Sequence, residues 1–452
     1  GIRKYRSSVN DLCKEVSEAN KAGNVKRLSQ IVKILSRRGK GRRVNVQPTV
    51  NAMSYNNGKC TFDPNASVPL KSAAEQANCF ATFGREKFKS LKGKVGDLPP
   101  LLGTAADRMM DVPSDEELPT CLAAMSSGKA PGHDGAPSDL YKHSPTCRQE
   151  LFALVREIWK SECVPADMVQ GVFVMLYKGK GSSNDLSKYR MICLLPTAHK
   201  MLSTLLLHRL RLECDGFLSE DQMGFRQHRS TRDHIVVMSE CLAYLQETAA
   251  TTTSASGTAN GSANGSANGS GRIVHPAATT ADTNIIASAT FLDYVAAFDS
   301  VDHVFLDEAL QLGGASPKIR AIIRSIYNQA TAVVRATDSG ANTAMSEPFE
   351  IKRGVVQGDI VSPLCFIIAL QAIFLQCDDD PRHGIVLQPG TPQEVRVKSM
   401  KYADDVGLLS YTTKESSDRV TAIDNTSYSL GNSSTSYLQV LRSDYNHEHL
   451  HR

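Results

Sequence analysis

Three aspartates carry the strongest chemical signal in this sequence. Asp293 ends a strand-like run that begins at Ile285, and Asp404 and Asp405 are adjacent in a tight turn between two apolar stretches. Mg²⁺ accepts only a few protein oxygens, so carboxylates from separate strand ends can converge on it. Two such ions, roughly 4 Å apart, activate an attacking hydroxyl and hold a leaving group in phosphoryl transfer. The three aspartates are therefore candidate metal ligands, although an isolated Asp-Asp pair is more often a solvated turn.

The elements that must position these residues indicate an α+β fold. Apolar strands are expected from Gly171 to Tyr177 and from Tyr189 to Leu195, joined by a basic, glycine-rich turn. Leucines at helical spacing predict core helices over 151–159, with the single Trp as a packing residue, and over 202–210. A further helix is expected from Val301 to Leu312, where two glycines end it. Hairpins mixed with helices are typical of a layered α+β architecture.

Composition bounds the class of protein without deciding the partner. The chain has 452 residues, of which 41% are hydrophobic, so it can bury a sizeable core. Lys and Arg number 51 against 47 Asp and Glu, and this net charge of +4 does not establish a nucleic-acid partner. Within residues 1–45, thirteen Lys or Arg face three acids. That segment is either a phosphate-binding region or a solvated basic helix.

Targeting and redox features indicate an intracellular protein. The eleven Cys include no Cys-x-x-Cys pair, which argues against a zinc site and fits reduced thiols. No apolar run reaches the roughly 20 residues needed to span a bilayer, and no signal peptide opens the chain. The chain begins at Gly1 rather than Met, which indicates a fragment or a processed product.

A compositional break separates the two halves of the chain. From 246 to 290 the sequence becomes rich in Ala, Thr, Ser, Gly and Asn, with Ala-Asn-Gly-Ser three times in a row from Ala259 to Ser270. Such a stretch buries too little apolar surface to offset its ordering entropy. It is predicted to be a disordered insert in a surface loop.

Three segments resemble the catalytic motifs of reverse transcriptases and occur in the family's order. They are Phe291-Leu-Asp-Tyr-Val-Ala-Ala-Phe-Asp-Ser-Val301, Gly354-Val-Val-Gln-Gly-Asp-Ile-Val-Ser-Pro363 and Tyr402-Ala-Asp-Asp405. Upstream segments are similar to the fingers region of non-LTR retrotransposon enzymes: Ser127 to Gly135, Tyr177 to Gly181, Tyr189 to Leu195 and Gly224 to Thr231. The resemblance covers residues 127–411 apart from the insert.

The resemblance implies a right-hand polymerase with palm, fingers and an antiparallel palm sheet. The expected organisation is a basic helical N-terminal and linker region at 1–100, fingers and the start of the palm at 101–245, the insert at 246–290, and the catalytic palm at 291–411. The Ser-, Thr- and Asn-rich stretch at 412–452 has no long amphipathic pattern, so it is expected to be a disordered tail, with the thumb missing.

Carried over to this sequence, the resemblance makes Asp293 and Asp404 the ligands of two Mg²⁺ ions, with Asp405 beside them. Phe298 would be the steric gate that rejects the 2′ hydroxyl of a ribonucleotide, although without the resemblance it is an ordinary core aromatic. Gln357 and Gly358 would touch the template and the incoming nucleotide; by themselves they predict a plain turn.

Cationic residues are implied at two further places. Lys178 or Lys180 and Arg190 match the fingers cations that clamp the triphosphate, and they would otherwise belong to an exposed basic hairpin. Arg226 and Arg229 would contact the template or primer backbone, or they solvate a turn.

The implied function is RNA-directed DNA synthesis, with an RNA template, a DNA primer and deoxynucleotides as partners and no membrane. The alternative is a catalytically inactive, truncated retroelement remnant that at most binds nucleic acid. An intron-encoded maturase is a third hypothesis, against which the fingers segments argue. Integration into chromosomes makes the nucleus one candidate compartment.

Several positions depart from the family pattern. Met191 stands where Pro is usual and Val295 where Lys is usual, and neither position holds a metal. The family Lys that assists proton transfer to pyrophosphate has no counterpart after Tyr411, which would cost on the order of 10²-fold in rate. No endonuclease domain is recognisable, so this chain is expected to polymerise without nicking a genomic target.

Overall fold

A computed structural model of the chain describes residues 53–56, 59–62, 72–90, 111–179, 185–256, 285–294, 296–338, 341–377, 380–429 and 438–446. The predicted basic helix within residues 1–45 and the central part of the insert, 257–284, lie outside the described residues, as do Lys180 and Val295.

The described residues form a mixture of helices and strands, as the α+β prediction requires. The helices are α1 (Ala73–Lys87), α2 (Glu117–Ala124), α3 (Ser138–His143), α4 (Pro145–Ser161), α5 (Ala166–Val169), α6 (Thr197–Cys214), α7 (Thr231–Ser256), α8 (Ala297–Ser300), α9 (His303–Leu312), α10 (Pro317–Asn328), α11 (Ser362–Cys377) and α12 (Thr413–Ser429). The strands are β1 (Met53–Asn56), β2 (Lys59–Phe62), β3 (Gln170–Tyr177), β4 (Tyr189–Leu194), β5 (Ile285–Tyr294), β6 (Thr331–Thr337), β7 (Thr343–Met345), β8 (Phe349–Glu350), β9 (Ile385–Leu387), β10 (Val395–Val397), β11 (Ser399–Tyr402), β12 (Asp405–Ser410) and β13 (Leu438–Asn446).

The described residues divide into two compact units. The first unit takes those within Gly1–Gly93, Pro100–Asp215 and Phe298–Cys365, and the second those within Lys94–Pro99, Gly216–Ala297 and Phe366–Arg452. The predicted palm at 291–411 is therefore shared between the units. The physical reason is that its middle part supplies β6, which pairs with β3.

The first unit is built on a mixed sheet with the order β4-β3-β6-β7, and β8 also pairs with β6. The predicted hairpin is confirmed, since β3 and β4 run antiparallel from Val172 opposite Leu194 to Tyr177 opposite Tyr189. Strand β6 joins β3 in parallel. Helix α1 packs against β6 and β7, and the ring of Phe88, which follows α1, stacks on the ring of Phe173 in β3 with their centres 5.4 Å apart.

Helices α4 and α6 of the first unit confirm the two helices predicted from leucine spacing. Ser144 caps α4 by accepting from the Cys147 amide, and Pro145 occupies its first turn. Trp159 is fully buried, as predicted, and the Arg209 guanidinium lies 4.3 Å from its ring centre. Arg209 also donates to both carboxylate oxygens of Glu117, so α2, α4 and α6 are joined through one cation.

The second unit contains a sheet with the order β11-β12-β5-β13, in which each neighbouring pair is antiparallel. A separate pair, β9 with β10, is also antiparallel. Buried side chains behind the main sheet form an apolar cluster with α7, made of Cys241, Leu245, Ala289, Ile385, Met400 and Leu409. The sheet thus carries the strands that end in the candidate aspartates.

The stretch after Tyr411 differs from its prediction as a disordered tail. It contains helix α12, and strand β13 adds to the edge of β5. The buried positions of α12 are Ser416, Arg419, Ile423 and Ser427, which do recur at helical spacing. The pattern escaped recognition because three of these four residues are polar.

The predicted insert also begins later than its composition suggested. Helix α7 continues through residue 256, and β5 starts at residue 285, so both ends of the 246–290 range belong to regular elements. Extending an existing helix adds one hydrogen bond per residue without a new nucleation cost, which lets Ala- and Thr-rich sequence follow. Among the helices of the described residues, none is long and apolar enough to cross a membrane.

Candidate active site

The three aspartates lie at one end of the sheet in the second unit. Strands β5 and β12 run antiparallel with Val406 opposite Leu292, and the next position outward on each strand is Asp405 and Asp293. Both apolar residues are buried and both aspartates are exposed, as alternation along a strand requires. Residues opposite each other on antiparallel strands have Cβ atoms about 5 Å apart. Asp293 and Asp405 are thus brought together at the same end of the sheet.

Asp404 lies close enough to the other two carboxylates to feel their charge. Burial raises the pKa of the Asp404 carboxyl, a hydrogen bond within its own residue opposes this, and the negative charges of Asp405 and Asp293 raise it further. Neighbouring carboxylates repel one another when both are ionised. A divalent cation bound between them would relieve that repulsion.

The pair Asp293 and Asp404 has the chemistry that Mg²⁺ prefers, since both donors are carboxylate oxygens. Across the stretches for which the structure gives positions, no group of three or more His, Cys, Asp or Glu side chains is arranged to hold a metal ion. A divalent cation at this end of the sheet would therefore have to be held by these two carboxylates, with its remaining ligands supplied from outside the described side chains.

The turn that carries Asp404 is held by a residue that sequence reasoning missed, Gln222. Its side-chain oxygen accepts from the amides of Ala403, at 3.0 Å, and Gly224, at 2.9 Å, and its amide nitrogen donates to the Ala403 carbonyl at 3.4 Å. Ala403 has a φ of 58°, the left-handed conformation that non-glycine residues avoid. The clamp thus stabilises a strained turn.

Backbone contacts hold the same segment against β11. The Met223 amide donates to the Lys401 carbonyl and the Lys401 amide to the Asp221 carbonyl, each at 2.8 Å. A Cβ on Gly224 would lie 2.3 Å from the Ala403 nitrogen, so only glycine allows this approach. The glycine at position 224 is therefore explained by its packing against the turn. No local sequence signal indicates this role.

Arg226 and Arg229 lie next to this clamp and are engaged within the protein. The Arg226 side chain is 5% exposed and donates to the Ser219 carbonyl at 2.8 Å. Arg229 donates to the Glu220 carboxylate. The buried Arg226 guanidinium thus contacts the turn itself and is not open to a phosphate backbone, and the predicted contact of Arg229 with template or primer stays a prediction.

The predicted nucleotide-site residues belong to the first unit. The Gln357 carbonyl accepts from the Cys193 amide at 2.8 Å, which fixes the loop against β4. Gly358 has a φ of 117°, and a Cβ there would lie 2.3 Å from the Cys193 carbonyl oxygen. The glycine is thus required by the close backbone approach of this loop to β4.

Asp359 anchors the other side of this loop to helix α6. Its carboxylate lies 3.2 Å from Nε2 of His199, and both side chains are almost fully buried. Burial alone would raise the pKa of Asp359, but the charge of His199 and hydrogen bonds outweigh it and lower the pKa. The loop is therefore rigid at both ends of the Gln357-Gly-Asp359 sequence.

Phe298 and the fingers cations are also placed in the first unit. Phe298 is half-buried, and its carbonyl accepts from the Val355 amide at 2.7 Å. Arg190 and Lys178 are exposed. Partial desolvation of its ammonium lowers the pKa of Lys178, and the charges of Lys87 and Arg190 lower it further against the opposing charge of Asp299, so these groups share one neighbourhood. A polyanion placed there would relieve the repulsion among the cations.

Comparison with known proteins gives consistent matches. A family model described as reverse transcriptase (RNA-dependent DNA polymerase) matches residues 178–432. The chain is 23% identical over 296 residues to "Transposon TX1 uncharacterized 149 kDa protein" of Xenopus laevis, covering 65% of this chain and 19% of the relative.

Two fly proteins are similarly related. "Probable RNA-directed DNA polymerase from transposon X-element" of Drosophila melanogaster is 24% identical over 302 residues, covering 65% of this chain and 29% of the relative. "RNA-directed DNA polymerase from mobile element jockey" of Drosophila funebris is 24% identical over 355 residues, covering 76% and 33%. The chain therefore spans between 19% and 33% of the length of these relatives.

Proposed function

The chain belongs to the reverse transcriptase family, and from this premise we propose that it is the polymerase part of a non-LTR retrotransposon enzyme that copies an RNA template into DNA. The observation that carries the proposal is the meeting of Asp293, Asp404 and Asp405 at one sheet edge. In this proposal the sheet of the second unit is the palm, and the β3–β4 hairpin belongs to the fingers.

Asp293 and Asp404 would hold the magnesium ions, with Asp405 adjusting the local charge. When bound, magnesium would lower the pKa of the primer 3′ hydroxyl and neutralise the triphosphate. The carboxylates would be held in place to receive the cations, because the Gln222 clamp fixes the turn and the β5–β12 ladder fixes the strands.

The residues of the first unit would select and hold the deoxynucleotide. Lys178 and Arg190 would neutralise phosphate oxygens, for which a guanidinium is well shaped. The ring of Phe298 would exclude a 2′ hydroxyl. The Gln357 loop, held close to β4 by Gly358, would contact the base pair being formed.

Primer extension tests the proposal directly. The full chain is incubated with an RNA template, an annealed DNA primer, deoxynucleotides and Mg²⁺, beside the Asp404→Ala variant. The proposal expects extension by the parent and none by the variant. Equal incorporation by the two proteins would contradict the catalytic assignment. Salt-sensitive RNA binding by the parent without extension would favour the inactive retroelement remnant instead.

A further inference from the structure

A buried carboxylate in the first unit, Asp299, is used by none of the roles above. It directly follows Phe298, and its side chain is 2% exposed. The Lys87 ammonium, at the end of α1, lies 2.6 Å from one of its oxygens. The Gln357 amide nitrogen lies 3.4 and 3.3 Å from the two oxygens. One carboxylate thus joins α1, the segment of Phe298 and the Gln357 loop.

Backbone geometry makes this junction rigid. The Val355 amide donates to the Phe298 carbonyl and the Gly354 amide to the Val301 carbonyl, each at 2.7 Å. A Cβ on Gly354 would lie 2.8 Å from the Asp299 Cα, so the two segments are in direct backbone contact. A displacement of Asp299 would therefore move both the Phe298 ring and the Gln357 side chain.

The charge of Lys87 is neutralised by Asp299. This pairing decides whether Lys87 binds phosphate or holds Asp299 in place. Lys178 and Arg190 are exposed and lie in one neighbourhood of charged side chains. Lys87 is 20% exposed and contacts a buried carboxylate. A cation in that position holds its partner in place rather than waiting for a phosphate, because a buried carboxylate without its cation is strongly unfavourable.

We propose that Lys87 and Asp299 are a positioning pair that fixes Phe298 and Gln357, so that helix α1, which precedes the family match, determines how strictly the chain selects deoxynucleotides over ribonucleotides. The inference rests on the proposed function, since it deepens the role of the same nucleotide site. Neither residue touches the substrate, and both act through Phe298 and Gln357.

The test measures nucleotide binding separately from chemistry. The full chain is mixed with an RNA template and a DNA primer that ends in a dideoxynucleotide, and the dissociation constants of the next dNTP and the matching rNTP are measured from the ternary complexes. Lys87→Met removes the cation and leaves the buried Asp299 carboxylate without its counter-charge. Lys87→Met with Asp299→Asn removes both charges and keeps the shapes. Lys89→Met is the control, because this substitution removes the same charge, two residues away, from an exposed side chain.

Lys87→Met is expected to lower the ratio of rNTP to dNTP dissociation constants about tenfold, the effect of one lost charge-assisted hydrogen bond. The double variant should recover most of the ratio, because no unpaired charge is left, and Lys89→Met should keep the parent ratio. A purely structural role would weaken both nucleotides equally, and thermal unfolding of each variant checks the folded fraction.

The outcomes separate this inference from the proposed function. An unchanged ratio in Lys87→Met, an equal change in Lys89→Met, or a double variant worse than the single one would overturn the inference. If the parent still extends an ordinary primer, the proposed function is supported even when one of these three results overturns the inference. A parent that binds dNTP selectively in a Lys87-dependent way, yet never extends an ordinary primer, would support the inference while the proposed function fails. A parent that forms no ternary complex would overturn both.

Discussion

Replacing Gln222 with Met should damage catalysis far more than it damages the fold. Met has a similar length but leaves the amides of Ala403 and Gly224 without their acceptor, and Gln222 is 2% exposed, so water cannot easily replace it. Each buried amide left unpaired costs about 1–3 kcal/mol. After relaxation we expect a loss of roughly 2–4 kcal/mol in the free energy of unfolding.

The effect on rate follows from the strained turn. The left-handed conformation of Ala403 costs about 1 kcal/mol and would relax once the Gln222 clamp is gone. The Asp404 carboxylate would then move, and a displacement of about 1 Å can cost on the order of 10²-fold in rate. Urea unfolding gives the stability, and single-turnover incorporation at saturating Mg²⁺ and nucleotide gives the rate.

A matched control separates the two effects. Gln371 is similarly buried in the second unit, and its side-chain oxygen accepts from the Ser219 amide and hydroxyl at 3.3 and 2.8 Å. Gln371→Met should lower the free energy of unfolding comparably and leave the rate of the folded protein nearly unchanged. If both variants lose rate by the same factor, the assignment of Gln222 to the turn is refuted.

Three other predictions have defined outcomes, one of them with its own control substitution. Asp404→Asn should abolish extension yet raise the free energy of unfolding at neutral pH, because the raised pKa of Asp404 means that its ionised form opposes folding. Urea titrations should show this gain vanish as the pH falls through the range where aspartates protonate; a gain that persists in acid would contradict the cause. Gly358→Ala should cost about 2 kcal/mol or more, since its Cβ would meet a carbonyl oxygen at 2.3 Å, whereas Gly179→Ala, with open space around it, should cost about 1 kcal/mol in thermal unfolding. Arg419→Met should lose about 3 kcal/mol, because the fully buried guanidinium donates to two backbone carbonyls at 2.6 and 3.0 Å; a loss below about 1 kcal/mol in urea would show that those carbonyls find other donors.

Apolar periodicity in the sequence predicted those helices and strands whose buried side chains are apolar. The β3–β4 hairpin and the helix around Trp159 follow from apolar periodicity, and the structure confirms both. The retrotransposon reverse transcriptase resemblance is confirmed by the matches to that family and to transposon polymerases. Helix α12 was missed because Arg419, buried through hydrogen bonds to backbone carbonyls, does not look like a core residue in a sequence.

Residues that support the site could not be found from sequence spacing. Gln222 and Ala403 are 181 positions apart, and their contact exists only because the segment of Gln222 runs beside β11. Lys87 and Asp299 meet only because α1 packs on the sheet of the first unit. Motifs identify groups that do chemistry, whereas groups that hold them are selected by tertiary contacts and carry no local signature.

Binding of Mn²⁺ to the full chain, measured by calorimetry, tests most directly whether Asp293 and Asp404 hold a divalent cation together. Mn²⁺ accepts the same oxygen ligands as Mg²⁺. Asp293→Asn and Asp404→Asn should each weaken binding by at least about tenfold, while Asp380→Asn, which removes an exposed-loop carboxylate paired with Arg382, should leave it unchanged. Equal affinity in the parent and in all three variants would contradict the account.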